Sequence, residues 1–580
     1  MQQINDFLIA LDGYIGGHEW FIVLLIGVGA FFTLYLGFPQ IRYFRHSIRV
    51  LTGKYSDKKE IGDTSHFQAL STVLSGTVGT GNIAGVALAI HLGGPAALFW
   101  MMVTAAVGMS TKFVEVAISH KYRDILPDGS IAGGPMYFMR KRLNIKTSSG
   151  KLIKTGVFMG GFFAIATVLS TFGTGSLPQI NAISGSMETT FNINPVVTGA
   201  VLAVILGMVI IGGIKRIAKV TSILVPFMAA VYIFGALVVI FSNVGNIIPS
   251  FISIFHTAFT GSAAAGGFLG ASLAFAINRG VARGLFSNEA GQGSAPIGLA
   301  SAKTKQPVAA GMVGILAPFI DTICICTLTG LVLLSTGAWK EKHETIFQVT
   351  DMEFVQGMYD EANEADNKAL ARHVRGYESI PFYTEPLNIE NGFLVNDDVT
   401  LIHSRSVAEE FFFTVDGEPF TGELLLDRSG KIQRTSGVTV AGRSLLHSAP
   451  LTTVAFGMGA LGRSGSYIVS IGLLMFAFST AIAWSYYGDR AITYLVGQKY
   501  VIYYRLLYTV AFFFAAFTDT TIIWSLSYIT IALMTVPNLI GVFLLRKEVK
   551  VSMREYWDDF RKEWPNEKIS KVVTKRYNLD

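Results

Sequence analysis

Long apolar runs separated by short polar loops fill most of the chain. A helix needs about 20 apolar residues to cross a bilayer core, where no water can satisfy a bare backbone. A window of that length predicts eleven spans: Glu19–Phe38, Phe67–Leu92, Ala96–Ser119, Gly156–Thr171, Pro195–Gly213, Ala218–Phe241, Ile247–Phe286, Pro307–Ser335, Gly465–Leu495, Val501–Phe517 and Thr521–Leu545. The apolar, Gly-rich stretch Leu451–Leu461 is too short to cross and reads as a re-entrant or surface helix. Two spans are interrupted alike, the second by SGTVGTGN at 75–82 and the seventh by TGSAAAGGFLGAS at 260–272. Glycines in such helices often do no more than let neighbours pack closely. Two interruptions at matching positions of two five-span halves, one carrying an Asn, instead suggest an inverted-repeat carrier with a polar site at mid-membrane.

Between 339 and 448 the pattern changes. Polar and apolar residues alternate, and Asp-Gly and Ser-Gly separate β-rich runs such as FFFTVDGEPF at 411–420 and ELLLDRSGKI at 423–432, the signature of hairpins. A helical start over Glu341–Arg372 followed by a β-rich module is expected. The domain plan is an extra first helix with a basic loop (1–64), a first five-helix repeat (65–245), the start of a second repeat (246–338), a soluble α+β insert (339–448), the rest of the second repeat (449–546) and a basic tail (547–580).

Charge sharpens this picture. Only 15% of the 580 residues are charged and 51% are hydrophobic, against about 25% charged in soluble domains. The formal +6 is a difference of two populations. Residues 339–448 hold 19 of the 40 acidic and 10 of the 46 basic residues, or −9, which leaves +15 elsewhere. The basic excess sits in short loops, at Arg42–Lys59, Arg123–Lys154, Lys215–Lys219 and Lys303–Lys305, and in the tail. That is the cytoplasmic bias of a membrane protein rather than a nucleic-acid surface. It predicts an external N-terminus, an external insert and a cytoplasmic C-terminus in the cell membrane. The N-terminus shows no basic region with a cleavage motif, so the first span is expected to remain. Cys324 and Cys326 are too few for a disulfide framework or a zinc site. GTGNIAG lacks dinucleotide spacing, no GxxxxGK or HExxH is present, and TVGTG sits mid-span where a potassium filter would not. Neither an enzyme nor a cofactor is implied.

The polar groups in and near the interrupted spans are the remaining candidates. Gly79, Thr80 and Gly81 can offer backbone N–H groups, and Asn82 both a donor and an acceptor. Thr480 and Trp484 stand four apart on one helix face, a hydroxyl one turn from a large ring; a Trp packed in the core is the simpler alternative. Of the intramembrane charges, Lys112 and Glu115 can pair as i, i+3, Asp321 is a candidate for ion coupling or for a hydrogen bond to the broken seventh helix, and Arg283, Glu289, Asp489 and Arg490 suit an inner gate.

Four segments carry a family resemblance: residues 76–124 (GTVGTGNIAGVALAIHLGGPAALF…), GGPMYFM at 133–139, GVARGLFSNEAGQGSAPIGLASAKT at 280–304, and FAFSTAIAWSYYGDRAITYL at 476–495. They resemble the alanine or glycine:cation symporter family, in the right order and across nearly all of the chain except the insert. The resemblance implies a leucine-transporter-type fold, in which the second and seventh spans open the two halves, and sodium-coupled uptake of a small neutral amino acid. It implies substrate contacts from Gly79, Thr80, Gly81, Asn82, Gln179, Gly266, Gly267, Thr480 and Trp484. It also implies a sodium site built from the carbonyls of Ser75, Val78 and Phe476 and the hydroxyls of Ser479 and Thr480. The chain departs from the family pattern at Phe275, where Gln is usual, and at Asn278, where a basic residue is usual. A transporter-like receptor that senses a ligand through the insert is the alternative reading.

Overall fold

A computed structural model describes residues 19–55, 60–149, 151–374, 378–433, 437–518 and 520–577. The chain is mostly helical, with large apolar side chains on its surface and several charged and polar groups buried inside. Val23, Leu34, Phe158, Val204, Phe227, Phe234 and Leu507 are exposed, while Lys112, Glu115, Asp321, Asn82 and Ser479 are fully buried. An apolar exterior, with the few charged groups kept inside, suits lipid as solvent.

The helices begin with α1 (Glu19–Leu36) and α2 (Phe44–Leu51). The second span is α3 (His66–Thr77), a π-helical turn at Gly81–Gly85 and α4 (Val86–Gly93), with a 55° bend between its halves. Ser65 and Gln68 form a capping box that starts α3. Then come α5 (Pro95–Lys121), α6 (Thr155–Gly173), α7 (Leu177–Phe191), α8 (Pro195–Ile210), α9 (Gly213–Ser242), α10 (Ile247–Thr260), α11 (Leu273–Asn288) and the short α12 (Ser294–Leu299). The eighth span is α13 (Pro307–Pro318), a π-helical stretch at Phe319–Cys326 and α14 (Thr327–Thr336). Among the described residues, five helices are long and apolar enough to cross a membrane singly, or seven with each bent pair counted as one span. Shorter apolar helices cover Trp20–Leu36, Pro195–Ile210 and Val244–Thr260.

The segment after α14 differs from the expected helical start. Strands β1 (Lys342–Ile346) and β2 (Met352–Gln356) precede a single helix, α15 (Glu364–Val374). The reason lies far along the chain. β1 pairs antiparallel with β8 (Val438–Leu445), placing Lys342 opposite Leu445, and β2 pairs with β4 (Val399–His403), placing Met352 opposite His403. The expected turn signals are hairpins. Val415 pairs with Glu418 across Asp416-Gly417, both in the left-handed region, and Leu426 bridges Ile432 around Ser429-Gly430. Phe347, Phe354, Leu387, Leu401, Phe413 and Val440 form the module's own apolar core.

After the module, α16 (Ser448–Gly457) is a ten-residue helix, where Leu451–Leu461 is too short to cross. It is followed by α17 (Arg463–Val496), α18 (Val501–Ala515), α19 (Thr520–Leu544) and α20 (Arg546–Glu563). α3 and α4 are enclosed by α9, α11, α14, α16 and α17, so the first broken helix runs through the centre of the bundle.

Candidate functional site

The first break is held open by close packing. α3 ends at Val78 in extended geometry (φ −80°, ψ 90°), before the π-helical turn. A Cβ on Gly79 would lie 2.5 Å from Thr480 Oγ1 and 3.3 Å from Gln179 Oε1, so only glycine lets α17 and α7 approach here. The break then satisfies itself through side chains. The Gly79 N–H donates to Asn82 Oδ1 at 2.9 Å, and the Thr80 N–H to Gln179 Oε1 at 3.4 Å. Gln179 Nε2 donates to the Thr174 carbonyl at 3.0 Å. Thr329 Oγ1 takes the Asn82 carbonyl at 2.8 Å and Thr452 Oγ1 takes that of Ile83 at 3.2 Å. Thr80 Oγ1 is buried with no hydrogen-bond partner among the described residues. A buried hydroxyl left unpaired at a helix break keeps its hydrogen-bonding capacity for a water or a polar ligand.

All five oxygen donors implied for sodium meet beside this break. Thr480 Oγ1 donates within reach of the carbonyls of Ser75 (3.0 Å), Phe476 (3.0 Å) and Val78 (3.5 Å). Ser479 Oγ reaches the carbonyls of Phe476 at 2.9 Å and Ser75 at 3.4 Å. Ser75 Oγ donates back to the Ser479 carbonyl at 2.6 Å. Hydroxyl bonds to the preceding turn are common in membrane helices. Here the same hydroxyls also reach across to another helix, which back-bonding alone does not require.

Asp321 lies on the opposite side of Asn82. Its carboxylate accepts from Asn82 Nδ2 at 2.6 Å, Ser287 Oγ at 2.8 Å and Thr322 Oγ1 at 2.6 Å. The π-helical stretch that carries Asp321 also brings Cys326 Sγ to 3.3 Å from Asn82 Nδ2. Both cysteines are free thiols. The buried aspartate thus fixes the asparagine that closes the first break, and Ser287 ties it to α11.

The interruption expected at 260–272 is present, since α10 ends at Thr260 and α11 begins at Leu273. Residues 261–272 form a turned loop in which Ser262 bridges Ala271 and Ala265 bridges Phe268. Gly267 N donates to the Lys340 carbonyl at 2.9 Å, and a Cβ on Gly267 would meet the Lys342 side chain. Gly266 and Gly267 therefore pack at the base of the β-rich module and are not brought to Asn82. The second break that reaches the buried centre lies further on, between α11 and α12. Glu289 (φ +53°), Gly291 (φ +91°) and Gly293 (φ +81°) are left-handed there, and residues 287–302 are buried throughout. Its signal is Asn-Glu followed by glycines two apart and a Ser restart, NEAGQGS, a helix stop and start in one short stretch.

Trp484 belongs to this second break. Its indole Nε1 lies 3.1 Å from Glu289 Oε1 and 3.3 Å from the Gly76 carbonyl, and the residue is fully buried. The ring ties α17, α3 and the second break together, and so lines no open cavity in this conformation. Asn82, Gln179 and Thr480 are each at most 2% exposed, so the centre is closed to solvent.

The residues expected at an inner gate bond to separate partners. Asp489 takes the Arg505 guanidinium through both carboxylate oxygens at 3.1 Å, Arg490 Nη1 donates to the Ile131 carbonyl at 3.1 Å, and Glu289 accepts from Ser294 Oγ at 2.5 Å. Phe275 has a distinct setting. The guanidinium of Arg279, one turn along α11, lies 4.9 Å from its ring centroid, and that of Arg405 lies 4.8 Å away. Arg405 forms the tip of the two-residue turn between β4 and β5 (Ser406–Val407), with Ser404 and Arg405 both at positive φ. An aromatic ring here receives a cation from the insert, which a Gln would do less well.

The family model described as the sodium:alanine symporter family matches residues 1–363 and 429–571. A sodium/alanine symporter of Methanococcus maripaludis, AgcS, is 36% identical over 560 residues, covering 96% of this chain and 98% of that protein. An uncharacterized transporter of Haemophilus influenzae is 36% identical over 555 residues, 96% of each chain. A Bacillus subtilis protein named "Probable sodium/glutamine symporter GlnT" is 29% identical over 557 residues, 96% of this chain and 91% of its own. A multi-pass bundle with a polar centre and broken helices is the form of a secondary transporter. The chain belongs to the sodium:alanine symporter family. It is a sodium-coupled amino-acid transporter of the membrane.

Proposed function

We propose that this transporter imports alanine, glycine or a similarly small neutral amino acid together with sodium, by alternating access. In this reading eleven spans form two inverted five-helix repeats after an extra first helix. The positive-inside bias sets the N-terminus and the 339–448 insert outside and the C-terminus in the cytoplasm.

The sodium ion is cargo, held by the carbonyls of Ser75, Val78 and Phe476 and the hydroxyls of Ser479 and Thr480. Without the ion, the hydroxyls donate to those carbonyls. With it, their hydrogens turn away and all five oxygens present lone pairs to a hard cation. Because Ser75 and Val78 lie at the end of α3 and the others on α17, ion binding joins the first broken helix to α17. The amino acid's carboxylate is proposed to meet backbone N–H groups at Gly79–Gly81 and the Thr80 hydroxyl. Gln179 and Asn82 complete its polar contacts, and Asp321 couples them to the ion. Small substrates suit the close approach of Gly79, Thr480 and Gln179.

The observation that carries this reading is the five-oxygen cluster beside a break whose Thr80 hydroxyl is unpaired. It is tested by binding of radiolabelled alanine and glycine to the purified full-length protein, with potassium in place of sodium as the control. Binding that requires sodium and is lost in Asn82→Ala supports it. Equal binding in both salts, or unchanged binding in Asn82→Ala, overturns it.

A further inference from the structure

Lys112 and Glu115 look like a buried ion pair three residues apart on α5, but their charged atoms are 3.9 Å apart, loose for such a pair. Both are fully buried. The tighter bonds of Lys112 go elsewhere, from Nζ to the carbonyls of Asn288 at 3.0 Å and Glu289 at 3.1 Å. These carbonyls stand at the end of α11, where the helix stops; that of Glu289 also accepts from the Gln292 N–H at 3.3 Å. On the other side of the break, the Glu115 carboxylate lies beside the backbone N–H groups of Gly291 and Gly293, its Oε1 making no hydrogen bond of ordinary geometry among the described residues. Asn538 Nδ2 joins the set, donating at 2.8 Å both to Glu115 Oε2 and to the Gly291 carbonyl.

A helix that stops in mid-bundle leaves carbonyls at its end with partial negative charge. The next helix starts with N–H groups of partial positive charge. The ammonium sits at the first and the carboxylate at the second. From this polarity we infer that Lys112 and Glu115 are positioning residues: a two-headed clamp that holds the second break in shape, the cation on its carbonyls and the anion on its N–H groups. The clamped Asn288 follows Ser287, which bonds both Asp321 and Asn82. The clamp therefore sets the level of the substrate end, and its effect on uptake rests on the function proposed above.

The polarity separates a clamp from a plain ion pair. Exchanging the two residues (Lys112→Glu with Glu115→Lys) keeps the net charge and the pairing but reverses both ends against the break. Lys112→Met removes the cation. Glu115→Gln keeps an oxygen for the glycine N–H groups. Each variant is reconstituted as full-length protein, and alanine KM and kcat are measured at saturating sodium. Lys112→Met and the exchange are expected to raise KM at least tenfold with kcat within threefold, and Glu115→Gln to raise KM less than threefold. An exchange variant that transports like wild type, or Glu115→Gln as impaired as Lys112→Met, overturns the clamp. A structural role alone lowers the yield of folded protein and leaves KM unmoved. If Lys112→Met or the exchange is not recovered folded, Glu115→Gln alone decides by the same limits. Hydrogen exchange at 288–293 keeps the test apart from the transport reading. Should wild type show no sodium-driven uptake, that reading fails. The clamp still stands if protection there falls at least tenfold in Lys112→Met but not in Glu115→Gln, and falls with it if the two behave alike.

Discussion

Replacing Gly79 by Ala tests whether the first broken helix and the sodium oxygens form one unit. The added Cβ would sit 2.5 Å from Thr480 Oγ1 and 3.3 Å from Gln179 Oε1, so the hydroxyl has to move. That hydroxyl is 3.0 Å from both the Ser75 and Phe476 carbonyls, so its displacement opens the cluster proposed for the ion. Overpacking of a tight interior costs about 1–3 kcal/mol. Borne by the ion-bound state, at about 1.4 kcal/mol per tenfold, this is roughly a 5- to 150-fold rise in the sodium concentration that half-activates alanine uptake. Gly81→Ala is the internal control, because its Cβ would meet a Phe286 ring carbon at 3.2 Å and Ser287 Cα at 3.4 Å, and no sodium oxygen. The assay is a sodium titration of initial uptake rates in proteoliposomes, with both variants verified as monodisperse. A half-activation concentration within twofold of wild type for Gly79→Ala refutes the link. So does a larger shift for Gly81→Ala.

Asp321→Asn replaces a carboxylate that accepts from Asn82, Ser287 and Thr322. At about 1.5–3 kcal/mol per bond to a charged group, uptake should fall more than tenfold; half of wild-type uptake contradicts the assignment. Excision of 343–444 with a short Gly-Ser linker should preserve sodium-dependent uptake, since Lys342 and Leu445 are direct strand partners and the gap is short. Complete loss in a folded variant favours a receptor or gating role for the insert. His403 gives a pH test: burial lowers it from 6.5 to about 4, against the pull of Asp351. The unfolded chain gains a proton near pH 6.5 that the folded insert refuses until about pH 4. Stability from neutral His403 is therefore full above 6.5 and drains as pH falls, by up to about 3 kcal/mol at 1.36 kcal/mol per unit. Hydrogen exchange of the β2–β4 pair in the full-length protein should show this slope, flattened in His403→Gln; equal slopes in both refute it.

How much was legible depended on whether the cause was local. The first break could be placed from SGTVGTGN, because Gly79 and Asn82 act on each other three residues apart. The oxygens around Thr480 came from family resemblance, since Ser75 and Ser479 meet across more than 400 residues. The interruption at 260–272 is legible from its glycines, whereas the buried break at 289–293 is not, because its sequence alone does not show what packs against it. What distinguishes 289–293 is Lys112 and Glu115, brought from another helix. The strand Lys342–Ile346 reads locally as the start of a helix because its partner, Val438–Leu445, lies about a hundred residues later. Trp484 sits on the expected face with Thr480. Its indole N–H points to Glu289 and Gly76, which side-chain spacing on α17 could not reveal.

The central claim is that an inward sodium gradient drives entry of a small neutral amino acid. The direct measurement is radiolabelled alanine accumulation in proteoliposomes of the full-length protein, under an imposed sodium gradient and, in parallel, under potassium or proton gradients alone. The account predicts accumulation above equilibrium with sodium outside, lost on dissipating the gradient. Accumulation that is the same without sodium, or none with alanine and glycine alike, contradicts it.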